Sequence, residues 1–291
     1  MAHSDFPTLK ILLQTIDDER NDIYLHIDKK ARDVDLNIIS TWVKKSGLYF
    51  TKRLNIYWGH HSIVKCELNM LAQATANDRY SYYHLLSGVD FPLKSQDYIH
   101  NFFDGKDLEY VTYFHNDEKG REFDCKIRYY YLFMKYLGRV NIEGKGIKKK
   151  ALRHLNWRNQ LLMEWQKNNQ IDRRKHYPNI EFVKGDQWFS ITDNLARYLL
   201  SKKHLIMKMS RFMDGPDEIF VQTIAYNSHF RDKIAGESIR EIDWERGSPY
   251  QFGYQDLEQL KTSNKLFVRK VFYTADNHEP KLIEGLLENI K

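Results

Sequence analysis

The sequence predicts one α/β domain with loop insertions, and three observations support this. Segments with helical periodicity alternate with short, apolar, strand-like segments along the 291 residues, which is typical of α/β layers. Apolar residues make up 42 % of the chain, enough for a sizeable core. No internal repeat or low-complexity linker divides the sequence, so we assign residues 1–291 to one domain.

The first part of the chain predicts four strands separated by helices. The apolar positions of an opening helix run from Leu9 to Ile16. The predicted strands are residues 22–28, 54–58, 80–86 and 109–114, and the predicted helices between them are residues 63–72 and 97–103. Asp28 ends the first strand and Asp90 follows the third in a loop. Ligands bind at this edge of open α/β sheets, although either aspartate could instead cap a turn.

The second part predicts loops around a helical and strand-like core. We expect loops at 116–124 and 245–254, strands at 238–244 and 265–272, and helices at 157–166, 195–200, 254–260 and 280–290. Residues 188–191 form an apolar run before the helix at 195–200. An aromatic segment, residues 126–136, fits either a sugar-binding surface or a partly buried helix. A further helix follows Asp214-Gly-Pro216, because Asp214 or Gly215 can cap it and proline suits its first position.

Glu218 lies in the first turn of that helix and has two interpretations. Acidic side chains at a helix start are stabilised by the macrodipole and need no functional explanation. The same field keeps a carboxylate ionised, so that it can accept a proton from a substrate hydroxyl. The residue alone does not decide between the two.

The charge balance leaves three classes of partner. A formal net charge of +6 suits nucleic acid, an anionic membrane surface or an anionic small substrate such as a sugar nucleotide. Cationic residues concentrate in residues 145–158, which is either a solvated face or a surface for anionic lipid headgroups. A nucleic-acid-binding protein is the rival class, but only residues 126–158 combine cations with aromatic residues.

Cysteine usage and hydropathy predict a cytoplasmic protein. Cys66 and Cys125 have no metal-ligand spacing, so we expect two small, buried thiols and no disulfide framework. No stretch approaches about 18 apolar residues, and Met1 does not open a signal peptide. His60 and His61 are adjacent and point apart, which argues against a metal site there.

Six short motifs occur in an order that resembles a known family. They are His26-Ile-Asp28-Lys-Lys, Ile56-Tyr-Trp58-Gly-His-His-Ser62, Leu86-Ser-Gly88-Val-Asp90-Phe-Pro92-Leu-Lys94, Lys184-Gly-Asp-Gln187-Trp188, Pro216-Asp217-Glu218 and Phe267-Val-Arg-Lys270. Residues 1 to about 275 resemble the core-2/I-branching β-1,6-N-acetylglucosaminyltransferases, a family that includes the peptide xylosyltransferases, and its compact bacterial members above all.

The resemblance implies a GT-A fold, in which helices flank a central, mixed, Rossmann-like sheet. It implies an inverting transfer from a UDP-sugar, with N-acetylglucosamine the expected sugar and a glycan or lipid-linked polysaccharide precursor the acceptor. It also implies that no metal is needed. Asp33-Val-Asp35 has the spacing of a metal-binding motif but lies in a helical lead-in. The nucleotide-sugar half would be residues 1–115, the acceptor and catalytic half 116–275, and a C-terminal helix 276–291.

The same resemblance assigns site residues. Glu218 matches the catalytic base, and Arg240 and Lys270 match the pair that binds the diphosphate. The remaining donor residues would be His3, Asp28 and Asp90, and the acceptor residues would be Trp188, Glu122 and Arg128. A member that binds the sugar nucleotide without turning it over is a further alternative.

The family pattern has a hydrophobic strand before Ala2-His3-Ser4, so the first strand is expected to be absent here. Loss of a central strand would expose backbone groups of its neighbours. We therefore expect the 291-residue form to be poorly stable or inactive, and an upstream extension to restore it. Equal melting temperature and activity of both forms would contradict this.

Overall fold

The computed structural model describes residues 1–32, 34–114, 118–138, 140–273 and 280–290, and for 118–122 the backbone alone. It confirms a mixed α/β chain. In place of one central sheet, the described residues form three small sheets, two with two strands each and one with three. The GT-A assignment itself stays a prediction.

The N-terminal layer is a parallel strand pair covered by helices. Its elements are α1 (Phe6–Thr15), β1 (Asp22–Leu25), α2 (Leu36–Ser40), β2 (Gly47–Phe50) and α3 (Ser62–Asn77). Strand β2 was not predicted. The strand predicted at 54–58 is wrong, because its backbone groups bond elsewhere. The Leu54 amide donates to His26 Nε2 and the Tyr57 amide to Ser62 Oγ.

Met1 and Ala2 lie between β1 and the segment that leads to β4. The Ala2 amide donates to the His26 carbonyl at 2.9 Å, and the Met1 ammonium donates to the Leu86 carbonyl at 2.7 Å. Behind them a cavity of about 940 Å³ is lined by β1 and by the segment 80–87, among others. Glu218, Arg240 and Lys270 do not line it, whereas Leu85 and Phe189, whose carbonyls accept hydrogen bonds from Arg240, do.

The middle of the chain forms short strands. They are β3 (Tyr82–His84) and β4 (Asp90–Pro92), followed by α4 (Gln96–Phe103), and β3 pairs antiparallel with β5 (Ser190–Thr192). Asp90 therefore lies in a strand, and the prediction that it lies in a loop is wrong. The strand predicted at 109–114 forms only single bridges at Glu109, Tyr110 and Phe114.

A helical region follows, which includes the helix predicted at 157–166 and replaces most of the loop predicted at 116–124. Helices α5 (Glu118–Arg128), α6 (Met134–Leu137) and α7 (Ile147–Asn168) occupy it. The predicted loop 116–124 is therefore wrong from residue 118 onward. Cys66 is buried as expected, but Cys125 is exposed, because the inward positions of α5 are Phe123 and Ile127.

The last part of the chain closes the core. Its elements are α8 (Asp193–Ser201), α9 (Lys203–Ser210), α10 (Phe220–Tyr226), β6 (Arg240–Ile242), α11 (Leu257–Thr262), β7 (Phe267–Arg269) and α12 (Lys281–Asn289). Strand β7 pairs antiparallel with β4 and parallel with β6, which places Arg269 opposite Asp90. Among the described helices, none combines the length and the apolar character needed to cross a bilayer.

Candidate active site

An extended segment, residues 184–190, connects the two ends of the candidate site. The Phe114 amide donates to the Lys184 carbonyl at 2.7 Å, and the Gly185 amide donates to the Glu218 carbonyl at 2.9 Å. A Cβ on Gly185 would lie 1.8 Å from the Thr112 carbonyl oxygen, so a side chain is excluded there. Glycine thus lets three backbones meet and fixes the start of this segment against Glu218.

Glu218 ends a single 3₁₀ turn, Pro216–Glu218, immediately before α10. Gly215 precedes this turn with φ 62° and ψ 49°, a left-handed conformation that favours glycine. Its amide donates to the Gly59 carbonyl at 3.0 Å. The predicted helix start with Gly215 before Pro216 is confirmed, although its first turn is 3₁₀ and the α-helix begins at Phe220.

Two lysines face the Glu218 carboxylate. Its Oε2 lies 3.2 Å from Lys184 Nζ and 3.6 Å from Lys126 Nζ, and 31 % of its side chain is exposed. Lys184 belongs to the motif Lys184-Gly-Asp-Gln187-Trp188, and Lys126 opens the aromatic segment 126–136, but neither lysine was assigned a role from the sequence. The carboxylate is therefore charge-compensated and still accessible from solvent.

Several other carboxyls near Glu218 are buried and bind protons more tightly than usual. Burial first, and the charge of Glu218 second, raise the pKa of Asp217 to about 7. Burial first, and Asp217 second, raise the pKa of Glu67, whose Oε1 accepts a hydrogen bond from Gln187 Nε2 at 2.7 Å. Burial also raises the pKa of Asp214. This reduces the negative charge packed around Glu218.

Arg240 lies at the other end of the connecting segment and is 4 % exposed. Its guanidinium donates to the Phe189 carbonyl at 2.8 Å and to the Leu85 carbonyl at 3.1 Å. Burial lowers the pKa of Arg240 to about 10. Its Nε has no hydrogen-bond partner within the described part of the chain. A buried, unsatisfied donor is costly unless a ligand accepts from it.

Asp90 is bound on both oxygens. It accepts from the Ser87 amide and hydroxyl at 2.7 Å each, and from Arg269 at 2.7 Å. The Arg269 guanidinium in turn stacks over the Trp188 ring, 4.0 Å from its centroid. Sequence reasoning missed Arg269, although it is adjacent to Lys270. Donor contact by Asp90 and sugar stacking by Trp188 stay predictions, and the contacts seen give both residues a positioning role.

The predicted donor residue His3 lies within electrostatic reach of two others, Asp28 and Lys270. Burial is the main cause that lowers the pKa of His3, and the charges of Asp28, Lys30, Arg269 and Lys270 also act on it. Asp28 Oδ1 accepts from the Lys30 amide at 2.8 Å, so Asp28 also caps the turn after β1. The structure thus brings together residues that are far apart in sequence.

The predicted acceptor residues are less well supported. Arg128 pairs with Asp124 at 2.7 Å and lies 3.9 Å from Asp172. It is two positions beyond Lys126 on α5, which places it on a different side of that helix. The side chain of Glu122 lies outside the described residues. Both assignments stay predictions.

The chemistry of the described side chains offers no metal centre. Over the described ranges, no group of three or more His, Cys, Asp or Glu residues is arranged to hold a metal ion. Asp35 caps α2 by accepting from the Asn37 amide at 2.8 Å. Asp33, the other half of the candidate motif, lies outside the described residues. Metal independence stays a prediction.

Comparison with known proteins points to one family. The profile of the family described as Core-2/I-Branching enzyme matches residues 1–264. A xylosyltransferase of Ciona intestinalis is 20 % identical over 294 residues, which cover 93 % of this chain and 31 % of the relative. Xylosyltransferase sqv-6 of Caenorhabditis elegans and of Caenorhabditis briggsae is 30 % identical over 79 residues, 26 % of this chain and 10 % of each relative. The chain thus spans about a third or less of the length of these relatives.

Proposed function

The chain belongs to the core-2/I-branching enzyme family, a family of glycosyltransferases, and on that premise we propose that it is an inverting, metal-independent transferase. It moves a sugar from a UDP-sugar to a hydroxyl of a glycan or a polysaccharide precursor. N-acetylglucosamine is the sugar we propose. Xylose is the alternative to test beside it, because the relatives are named xylosyltransferases.

The Glu218 carboxylate is the observation that carries this proposal. It is partly exposed, it faces Lys184 and Lys126, and a short backbone segment connects it to a buried cationic region. An inverting displacement needs one base aligned with the bond that breaks, and no covalent nucleophile. A carboxylate at one end of the site can act as that base, and cations at the other end can stabilise the leaving group.

In the proposed step the acceptor oxygen attacks the anomeric carbon of the donor sugar. A bond forms between that oxygen and the carbon, and the bond from the carbon to the diphosphate oxygen breaks. The acceptor proton passes to Glu218, and UDP leaves with the electron pair. Arg240 and Lys270 would stabilise the negative charge that develops on the diphosphate. The unsatisfied Arg240 Nε supports this role.

The remaining donor residues would position the nucleoside end. His3 lies close enough to Asp28 and to Lys270 for their charges to act on it. Asp90 would act through Arg269, which it holds at 2.7 Å. Trp188, held by the same arginine, would form one wall of the site. Acceptor contacts by Glu122 and Arg128 complete the proposal.

A panel of UDP-sugars tests the proposal. We expect UDP-N-acetylglucosamine or UDP-xylose to raise the melting temperature, and mass spectrometry to detect one added sugar on a glycan acceptor, with or without EDTA. Strict dependence on manganese would contradict the metal-free mechanism. UDP binding without any product would favour a sugar-nucleotide-binding module. Steeply salt-dependent oligonucleotide binding without UDP binding would favour the nucleic-acid-binding alternative.

A further inference from the structure

Helix α7 presents large apolar side chains to solvent. Over its length, Ile147–Asn168, only Gln166 is buried. Trp157 is 53 % exposed, Leu161 45 % and Trp165 55 %, and their spacing of four residues places them on one face. Ile147, which is 89 % exposed, lies about four turns before Leu161 on the same side. Exposed large apolar side chains that share one face of a helix mark an interaction surface.

The apolar stripe is surrounded by positive charge. Residues 145–168 carry seven Lys or Arg side chains and one acidic side chain, Glu164. Lys145, Lys148, Lys150 and Arg158 are exposed. A helix with Trp and aliphatic residues on one face and cations beside them lies in the interface of an anionic bilayer.

The helix is attached to the body of the protein near its end, and to its own preceding loop near its start. Near its start, Arg153 donates to the Gly144 carbonyl at 2.8 Å and folds the preceding loop against it. Near its end, the Tyr130 amide donates to Gln166 Oε1 at 2.7 Å, and Gln166 Nε2 donates to the Tyr130 carbonyl at 3.1 Å. The stripe is therefore a fixed surface of the fold.

The preceding helix α6 and the residues just before it also expose apolar side chains. It packs against α7, and Tyr136 within it is 51 % exposed. Leu132, just before α6, is 49 % exposed. The combined patch, which we call the α6–α7 surface, comprises Leu132, Tyr136, Ile147, Trp157, Leu161 and Trp165 with the neighbouring cations.

We propose that the α6–α7 surface binds peripherally to membranes that carry anionic lipid headgroups. Because the surface is positively charged, its partner should be anionic. The aliphatic side chains of Ile147 and Leu161 favour acyl chains over nucleic-acid bases, which stack on aromatic rings. A second copy of the chain would place like charges opposite each other.

The position of this surface suggests where the acceptor is met, and this one point rests on the proposed function. Residue Tyr130, to which α7 is attached, follows α5, and α5 carries Lys126 next to Glu218. A lipid-linked acceptor would be concentrated at the membrane plane that the α6–α7 surface contacts. Membrane binding itself does not depend on catalysis.

Vesicle sedimentation of the full chain tests the inference. We expect the protein to sediment with vesicles of phosphatidylcholine and phosphatidylglycerol, but not with phosphatidylcholine alone. Binding should weaken as salt is raised, and the tryptophan emission should shift to shorter wavelength. Trp157→Ala/Trp165→Ala and Lys148→Glu/Lys150→Glu should each lower the partition coefficient at least tenfold.

Matched variants test whether a change of charge, or loss of an exposed tryptophan, elsewhere on the protein has the same effect. Lys203→Glu/Lys208→Glu makes the same change of charge on α9, and Trp244→Ala removes an exposed tryptophan outside the α6–α7 surface. Both should sediment like the parent chain. The inference would be overturned by equal binding to neutral and anionic vesicles, or by no sedimentation at all. It would also be overturned if the α7 variants lost oligonucleotide binding, or lost dimerisation, that the parent chain shows. None of these measurements requires a sugar donor, so failure here is distinct from failure of the proposed activity.

Discussion

Glu218 and Asp90 are carboxylates at opposite ends of one site, and the protein holds them in opposite ways. Asp90 is 1 % exposed, and both of its oxygens accept hydrogen bonds from Ser87 or Arg269. The Glu218 side chain is 31 % exposed, and the cations that face it are the ammonium groups of Lys184 and Lys126. The first carboxylate is committed to the fold, and the second is available to a substrate.

This difference predicts that replacing Asp90 mainly lowers stability, whereas replacing Glu218 mainly lowers activity. Replacing a carboxylate that neutralises a buried cation should cost stability, because the cation is left without its partner. Replacing Glu218 by the neutral glutamine should cost less stability, because its side chain is partly exposed and no single buried cation depends on it. Any loss of activity at Glu218 then reports on chemistry.

Asp90→Asn should have the largest effect on stability. It leaves the Arg269 guanidinium, whose side chain is 14 % exposed, without a counter-charge, and should lower the free energy of unfolding by about 3 kcal/mol. Urea denaturation measures this. Asp97→Asn is the matched control, because Asp97 pairs with Arg20 at the surface and should leave the unfolding midpoint unchanged. Equal unfolding midpoints for the Asp90 variant and the parent would contradict the claim that Asp90 stabilises the fold.

Asp217→Asn should change how stability depends on pH. The folded pKa of Asp217, about 7, lies above its unfolded value near 3.8, so the folded protein keeps a proton that the unfolded chain loses. Its contribution to stability is therefore present below pH about 4 and falls as pH rises to about 7, by at most about 1.4 kcal/mol per pH unit. Urea denaturation across this range should show a shallower fall for the variant. Parallel curves would contradict the assignment.

Lys184→Met should have the smallest effect on stability and a measurable one on rate. Lys184 is the nearer of the two cations, at 3.2 Å against 3.6 Å for Lys126. Its removal should lower the transfer rate about tenfold by freeing the carboxylate to rotate, with an unchanged unfolding midpoint. Lys126→Met is the control and should lower the rate less. The reverse order of the two variants would assign the positioning role to Lys126.

Local signals in the sequence predicted much of the fold and one end of the site. The turn at Gly215 and Pro216 identified the helix start that places Glu218, and apolar periodicity located α4 and α12. Helix α5 was missed at its start because residues 118–124 are mostly polar. At 54–58 an apolar run favoured a strand, but a histidine ring and a serine hydroxyl took the backbone hydrogen bonds.

Contacts between distant residues account for most of what sequence could not predict. Lys126 and Lys184 meet at Glu218 from separate elements, and Arg269 reaches Asp90 across the β4–β7 pair. No local sequence pattern predicts contacts between residues that are so far apart in the chain. Arg240 and Lys270 were assigned through the resemblance alone, and the burial of Arg240 with an unsatisfied Nε was not foreseen.

Glu218→Gln provides the most direct test of the central claim, that Glu218 accepts the acceptor proton. Single-turnover transfer and calorimetric binding of UDP should be measured on the same preparation. The account predicts a loss of at least a thousandfold in transfer rate, UDP affinity within about twofold of the parent, and an unchanged melting temperature. A loss of less than tenfold in transfer rate, with folding intact, would contradict it.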